Sequence, residues 1–252
     1  MATGRTILPV YFLFHFIRWL IMKRSLFRML ALTAVMTPLF CQASGILPSS
    51  SVVVVEEETG EATMTVRNTD SKPLLLVTTL KEVDGDRGNI LQVSPPAVRV
   101  EGGKNQTVRF FLTNKTPLKT EHLRRVIFEG VSPKNKGQNV VQVNISQNLP
   151  VVIRPAGLAR DNAPWKRLSW SFRNGALTVV NKSPYVVRLS QSVQSLPDNR
   201  NWEMGQSYIL PSQTLTLKAD GKDRPTAPEK VRLSPATTWG FSVDTFEAPV
   251  IR

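Results

Sequence analysis

QNVVQVNISQNLPVVIRP, residues Gln138 to Pro155, is the stretch whose reading decides the fold. Val141, Val143 and Ile145 alternate with Gln142, Asn144 and Ser146, and Leu149, Val151 and Ile153 continue the odd-numbered row. Successive side chains of a strand point to opposite faces, so this pattern predicts one long β-strand carrying an apolar row on one face. The predicted strand is longer than the usual ~5–6 residues. A long apolar strand at a sheet edge invites pairing with other chains, so a protein that keeps one has a use for it in holding a partner. Pro150 lacks a backbone N–H and is expected to interrupt the ladder.

Short strands separated by turn chemistry extend in both directions from this segment. Upstream they are Val52–Val55, Ala62–Val66, Leu74–Val83, Ile90–Val93, Val98–Val100 and Val108–Leu112. Arg125–Glu129 is expected to pair with the long strand across the loop Ser132–Asn139. Ser94-Pro95-Pro96 breaks regular structure and is a candidate cis peptide site. Downstream, Leu168–Phe172 faces Leu177 and Val179 across Asn174-Gly175, a strong hairpin signal. Further strands are expected at Tyr185–Val193, Tyr208–Leu210, Leu215–Lys218, Val231–Leu233 and Phe241–Thr245. No segment reads as an amphipathic helix, which predicts an all-β chain with a sandwich first and a second, smaller all-β domain after it. The expected divisions are a leader over 1–43, a first domain over 44–153, a hinge over 154–163 and a second domain over 164–252.

The first 43 residues differ from the rest. Met22-Lys23-Arg24 opens a basic start, followed by an apolar run from Met29 to Phe40 and then Cys41-Gln42-Ala43. That is the pattern of a secretory signal over 22–43 cut after Ala43, with Met22 a second candidate start. Ile7 to Ile21 is interrupted by His15 and Arg18 and is shorter than the ~20 apolar residues a membrane span needs. The mature chain is therefore expected to be exported, without stable membrane insertion. Cys41 is the only cysteine, and bulky Phe40 before it argues against a lipid attachment site. The mature chain then has no disulfide, although an exported compartment would permit one.

The formal charge is +13, but five of the 32 basic residues lie in the leader, leaving 27 against 19 acidic residues, or +8. These residues are scattered rather than clustered, which argues against nucleic acid as a partner. The mature chain has one histidine, His122, and no thiol, so Cys–His and multi-His metal sites are excluded. No Gly-x-Ser-x-Gly elbow or phosphate-binding glycine loop occurs. No catalytic residue, metal or cofactor is expected. Glu56-Glu57-Glu58 reads as a solvated strand end, and His122 as an ordinary strand-end residue.

Several segments together resemble the periplasmic pilus (fimbrial) assembly chaperones, the PapD-like family. They are Val66-Arg67-Asn68-Thr69, Ser94-Pro95-Pro96-Ala97-Val98-Arg99-Val100-Glu101-Gly102-Gly103, the alternating strand with Ile153-Arg154-Pro155-Ala156, Val180-Asn181-Lys182-Ser183-Pro184-Tyr185, and Leu210-Pro211-Ser212. The resemblance covers essentially the whole mature chain, in the family's order. It implies two immunoglobulin-like β-sandwich domains in an L or boomerang. It also implies that the long strand supplies apolar side chains to a pilus subunit lacking its own final strand, for later delivery to an outer-membrane usher. By correspondence, Val141, Val143 and Ile145 take the donor positions. Leu149 and Val151 either face the subunit or pack in the chain's own core. Arg154 matches a family arginine that forms an interdomain salt bridge with an acid matching Glu121, and a third member, usually Asp, is here Thr238. The family's basic pair for the subunit's terminal carboxylate falls at Val52 or Val53 and at Pro150, none of which is charged. Either another base such as Arg124 or Arg125 serves, or the grip differs. The rival reading is an exported adhesin or structural subunit that self-assembles through the same strand. A third, a hydrolase, would require chemistry built on His122.

Overall fold

The computed structural model describes residues 45–133, 145–220, 225–237, 240 and 243–251. Val141 and Val143 lie outside the described residues, as do the leader, most of the predicted 132–139 loop, and Thr238.

Nine strands build the first half. They are β1 (Ile46–Pro48), β2 (Val53–Glu56), β3 (Glu61–Asn68), β4 (Leu74–Lys81), β5 (Leu91–Ser94), β6 (Ala97–Val100), β7 (Asn105–Leu112), β8 (His122–Val131) and β9 (Ser146–Arg154). They form two facing sheets, β1-β3-β7-β5 and β2-β9-β8-β4-β6. Alternation decides which side chains meet between them: in β7, Val108 and Phe110 are fully buried while Thr107 and Arg109 face out. The core adds Val55, Leu76, Val126, Phe128, Val151 and Ile153. As expected, β8 pairs antiparallel with β9. Gly102 lies so close to the Ser71 carbonyl that any Cβ there would collide with it. Ser94-Pro95 is cis.

Ten strands build the second half. They are β10 (Leu168–Arg173), β11 (Ala176–Asn181), β12 (Val187–Leu189), β13 (Ser192–Leu196), β14 (Asn201–Glu203), β15 (Tyr208–Ile209), β16 (Thr214–Ala219), β17 (Lys230–Leu233), β18 (Pro235–Ala236) and β19 (Phe246–Ile251). Hydrogen bonding runs around the ring β10-β11-β16-β14-β13-β17-β19, closed by a parallel β10–β19 pairing, and β15-β12-β18 forms a small separate sheet. Trp170 and Trp202 anchor its core, with Phe172 set edge-on to Trp202 at 6.1 Å. The β10–β11 hairpin turns at Asn174-Gly175, both at positive φ, as a two-residue primed turn requires. The chain as a whole is all-β, two immunoglobulin-like sandwiches joined by residues 155–167, which hold only a 3-10 turn at Pro164–Arg167.

Three expectations change. Tyr185–Val193 is not one strand, because the chain passes from the small sheet to the ring between β12 and β13. The last strand is Phe246–Ile251, and the described part of Phe241–Thr245 (residues 243–245) is not in a strand. Pro150 does not interrupt β9. The Gly130 N–H bonds to the Ile145 carbonyl, and the Glu57 N–H to the Arg154 carbonyl. By alternation, odd-numbered residues of β9 turn their backbone groups toward β8 and even-numbered ones away from it. The missing N–H of Pro150 therefore falls on the side away from β8, and that ladder is intact.

Candidate functional site

Burial rises steadily along β9. Ile145, just before it, is 41% exposed; Leu149 is half-buried against the core; Val151 and Ile153 are fully buried. Of the two readings left open for Val151, packing in the chain's own core is the one observed: its side chain lies between the two sheets of its own domain. Leu149 shares that inward row and is only partly covered by it. The other backbone edge changes along the strand as well. β2 pairs in parallel with Val151–Arg154 only, starting at Val53 opposite Val151. Among the described residues, Ser146–Pro150 has β8 on one side and no strand on the other. An exposed apolar side chain thus precedes an open backbone edge, the two features that strand addition uses.

At its other end β9 enters the junction between the halves. Arg154 and Glu121, both almost fully buried, are brought together: Arg154 Nε donates to Glu121 Oε1 at 3.2 Å. Glu121 Oε2 accepts the Val186 N–H at 2.8 Å, so one carboxylate ties the first half to the second. Burial pushes the Glu121 carboxyl above its ordinary value, an effect that the Val186 amide and Arg154 only partly offset. Arg154 Nη1 also reaches Glu56 Oε1 at 3.2 Å. Glu57 accepts the Ala156 and Leu118 N–H groups, both at 2.9 Å, and Asn114 Nδ2 at 2.8 Å. Glu56 and Glu57 are thus structural acceptors, not the solvated strand end read from sequence. Beside this network an apolar seam of Val52, Val83, Leu123 and Val152 packs on Val186 and Leu210, with Val54 and Tyr208 at its border.

The two candidate bases part company in the structure. Arg124 is buried and fully engaged, with Nη1 2.8 Å from Asp86 Oδ1 and further bonds to the carbonyls of Asp86, Leu123 and Gly88. Asp86 also accepts the Leu123 N–H at 2.7 Å and lies 2.8 Å from His122 Nδ1. Burial alone would raise the Asp86 carboxyl, but His122, Arg124 and the Leu123 amide outweigh it and hold it below its usual value. Sequence reading missed this cluster because Asp86 sits in a turn-like Asp-Gly-Asp run, 36 residues from His122. Arg125 stands directly opposite Pro150 in the β8–β9 ladder and makes no ion pair among the described residues. Those residues hold no group of three or more His, Cys, Asp or Glu arranged to bind a metal, and no helix long and apolar enough to cross a membrane.

Two immunoglobulin-like sandwiches, with an open-edged strand running into a buried ionic junction, define the class of two-domain assembly chaperones. The chain belongs to the PapD family of pili and flagellar-assembly chaperones. The PapD N-terminal domain model matches residues 45–159 and the C-terminal domain model residues 163–246. Over 201 residues it is 37% identical to the fimbrial chaperone YhcA of Escherichia coli K12, covering 79% of this chain and 88% of that protein. The chaperone protein MrkB of Klebsiella pneumoniae is 26% identical over 189 residues, covering 70% and 81%. Among solved structures, a chain of the Salmonella enterica SafA pilin–SafB chaperone complex superposes with a TM-score of 0.67 at 22% identity, covering 82% of this chain and 97% of that one. The YadV chaperone gives 0.66 at 21% identity, covering 81% and 98%. At these identities the likeness to the solved structures is one of fold.

Proposed function

We propose that this chain is a periplasmic chaperone that captures pilus subunits by lending them the upstream part of β9 and the residues before it. Ile145, with Val141 and Val143 in the same sequence row, fills the open groove of the subunit, and the free backbone edge of Ser146–Pro150 continues the shared ladder. The observation that carries this reading is the change along one row, from Val151 and Ile153 buried in the chain's own core to Ile145 exposed beside an edge that no strand among the described residues pairs with. Burying a Val or Ile contributes ~1.5–3 kcal/mol, so three anchors shield a substantial apolar groove. The chain acts without catalysis or cofactor of its own, is exported by the leader at 22–43, and delivers its subunits to an outer-membrane usher.

Co-expression with the pilus subunits of a neighbouring operon tests this. The wild type is expected to co-purify with a subunit as a soluble 1:1 complex. Val143→Asp is expected to leave the circular dichroism spectrum and thermal melt unchanged while abolishing that complex. Full capture by a folded Val143→Asp variant refutes the donor-strand assignment. Filaments of the chain alone, without a bound subunit, would favour the self-assembling adhesin.

A further inference from the structure

The open edge of β9 is not bare, because a side chain from the neighbouring strand reaches across to it. Arg125 lies on β8 directly opposite Pro150, and its guanidinium leans diagonally over β9 to Asn148. Nε donates to Asn148 Oδ1 at 2.8 Å and Nη2 to the Asn148 backbone carbonyl at 2.6 Å. That carbonyl belongs to an even-numbered residue of β9. Odd-numbered residues turn their backbone groups to β8, as the Ile145 carbonyl does in accepting the Gly130 N–H. Even-numbered ones turn away from it, as the Arg154 carbonyl does in accepting the Glu57 N–H. The Asn148 carbonyl therefore points to the side on which Ser146–Pro150 has no strand partner among the described residues. Neighbouring strands lie ~4.8 Å apart, a gap that an arginine side chain spans.

The contact takes up what an added strand would use. A strand joins an edge by exchanging hydrogen bonds with alternate residues of it, here Ser146, Asn148 and Pro150. Pro150 has no N–H to give. The Asn148 carbonyl is already bound, and by a charged donor, the stronger kind. Asn148 is exposed, so this bond is open to water and can be exchanged without disturbing the core. Charged side chains on edge strands discourage pairing between chains. Arg125 does so by occupying the backbone itself. The planar fork suits the task, because Nε and Nη2 meet two acceptors of one residue from one side of the guanidinium.

We infer that Arg125 is a specificity-determining residue of strand capture, a guard that holds the backbone acceptor of the open edge until an incoming strand displaces it. This rests on the subunit-capture reading above. Displacement breaks the guard's hydrogen bonds, and a strand that offers backbone alone recovers little more than it breaks. A strand bordering an open apolar groove gains in addition the burial of Ile145, which is exposed beside this edge. The guard therefore sets a threshold, passed by a subunit with such a groove and not by the plain edge of a second copy of this chain. Strand addition begins at Ser146 and reaches Asn148 last.

Two measurements test the guard. The first needs no subunit. Sedimentation velocity of the mature chain compares the wild type with Arg125→Ala and Arg125→Lys, after circular dichroism and thermal melts have shown each variant folded. Both variants are expected to self-associate at a concentration roughly 3- to 10-fold lower than the wild type, the worth of one solvent-exposed hydrogen bond. Lysine is grouped with alanine because an ammonium keeps the charge but cannot meet both acceptors from one plane. Unchanged self-association in Arg125→Ala overturns the guard. A lysine variant that behaves as the wild type assigns the effect to charge alone and overturns it as well. The second measurement follows water exchange of the Arg125 Nε–H in the 15N-labelled wild type, free and in complex with a subunit that co-purifies with it. Slow exchange in the free chain and fast exchange in the complex are expected, with the Arg154 Nε–H protected in both. An Arg125 Nε–H that exchanges fast in the free chain, or stays protected in the complex, overturns the guard. Failure of the wild type to capture any subunit defeats the function reading instead, and the self-association series then decides the guard alone.

Discussion

Arg154 and Arg125 both belong to the strand pair that enters the junction, yet their surroundings are opposite. Arg154 is closed in by Glu121 and Glu56, and its charge is answered within the fold. Arg125 is held in place by a neutral asparagine and has no ion pair among the described residues. A neutralised buried arginine ties two domains together, whereas one positioned by a neutral side chain leaves its charge without an ion pair among the described residues. Arg124, adjacent in sequence, sides with Arg154: its partner Asp86 makes it structural.

The contrast can be broken most forcefully at Glu121. Glu121→Ala strips Arg154 of its most buried partner and leaves the Val186 amide unsatisfied, and loss of one member of a buried pair costs ~3–5 kcal/mol. Urea unfolding is expected to show a loss of that size, with the two domains no longer unfolding in a single transition. Asp86→Asn comes next, at ~1.5–3 kcal/mol, the worth of hydrogen bonds to a charged group. Its pH dependence has a definite sign. The folded carboxyl lies below its unfolded value, so its contribution is fully present above the ordinary aspartate range near ~3.9. That contribution is lost as the pH falls through the lower folded value. The stability gap between wild type and Asp86→Asn should therefore be full at neutral pH and close in acid. Arg125→Gln is expected to change the melting temperature of the uncomplexed chain little or to raise it slightly, since it removes an unpaired half-buried charge, while Arg124→Gln lowers it clearly. Differential scanning fluorimetry of the two variants side by side checks this. The smallest effect belongs to Arg99→Ala: its pair with Glu101 is exposed on both sides and screened by solvent, so no resolvable change in melting temperature is expected in the same assay.

The two-sandwich architecture was legible because strand alternation and turn residues are local signals. Val108 and Phe110 announce the buried face of β7, and Asn174-Gly175 announces its hairpin. The fate of the apolar row in β9 was only half legible. Alternation groups Ile145 with Val151 on one face, but where that face passes from the chain's own core to solvent depends on where β2 begins to pair, a long-range fact. The Arg154–Glu121 contact was reached through the family resemblance, since nothing local links residues 33 apart. Asp86, Glu56 and Glu57 were missed for the same reason: turn acids look solvated until the tertiary fold brings N–H groups and cations to them.

Pro150 has a further consequence. It offers no hydrogen to the side of β9 away from β8, and immediately beyond it β2 occupies that side. Any strand that zips onto this edge from Ile145 onward must therefore halt at one fixed rung. In the proposed complex, the ladder added on this side ends at the rung where β2 takes over, and Pro150 gives its last position no hydrogen bond.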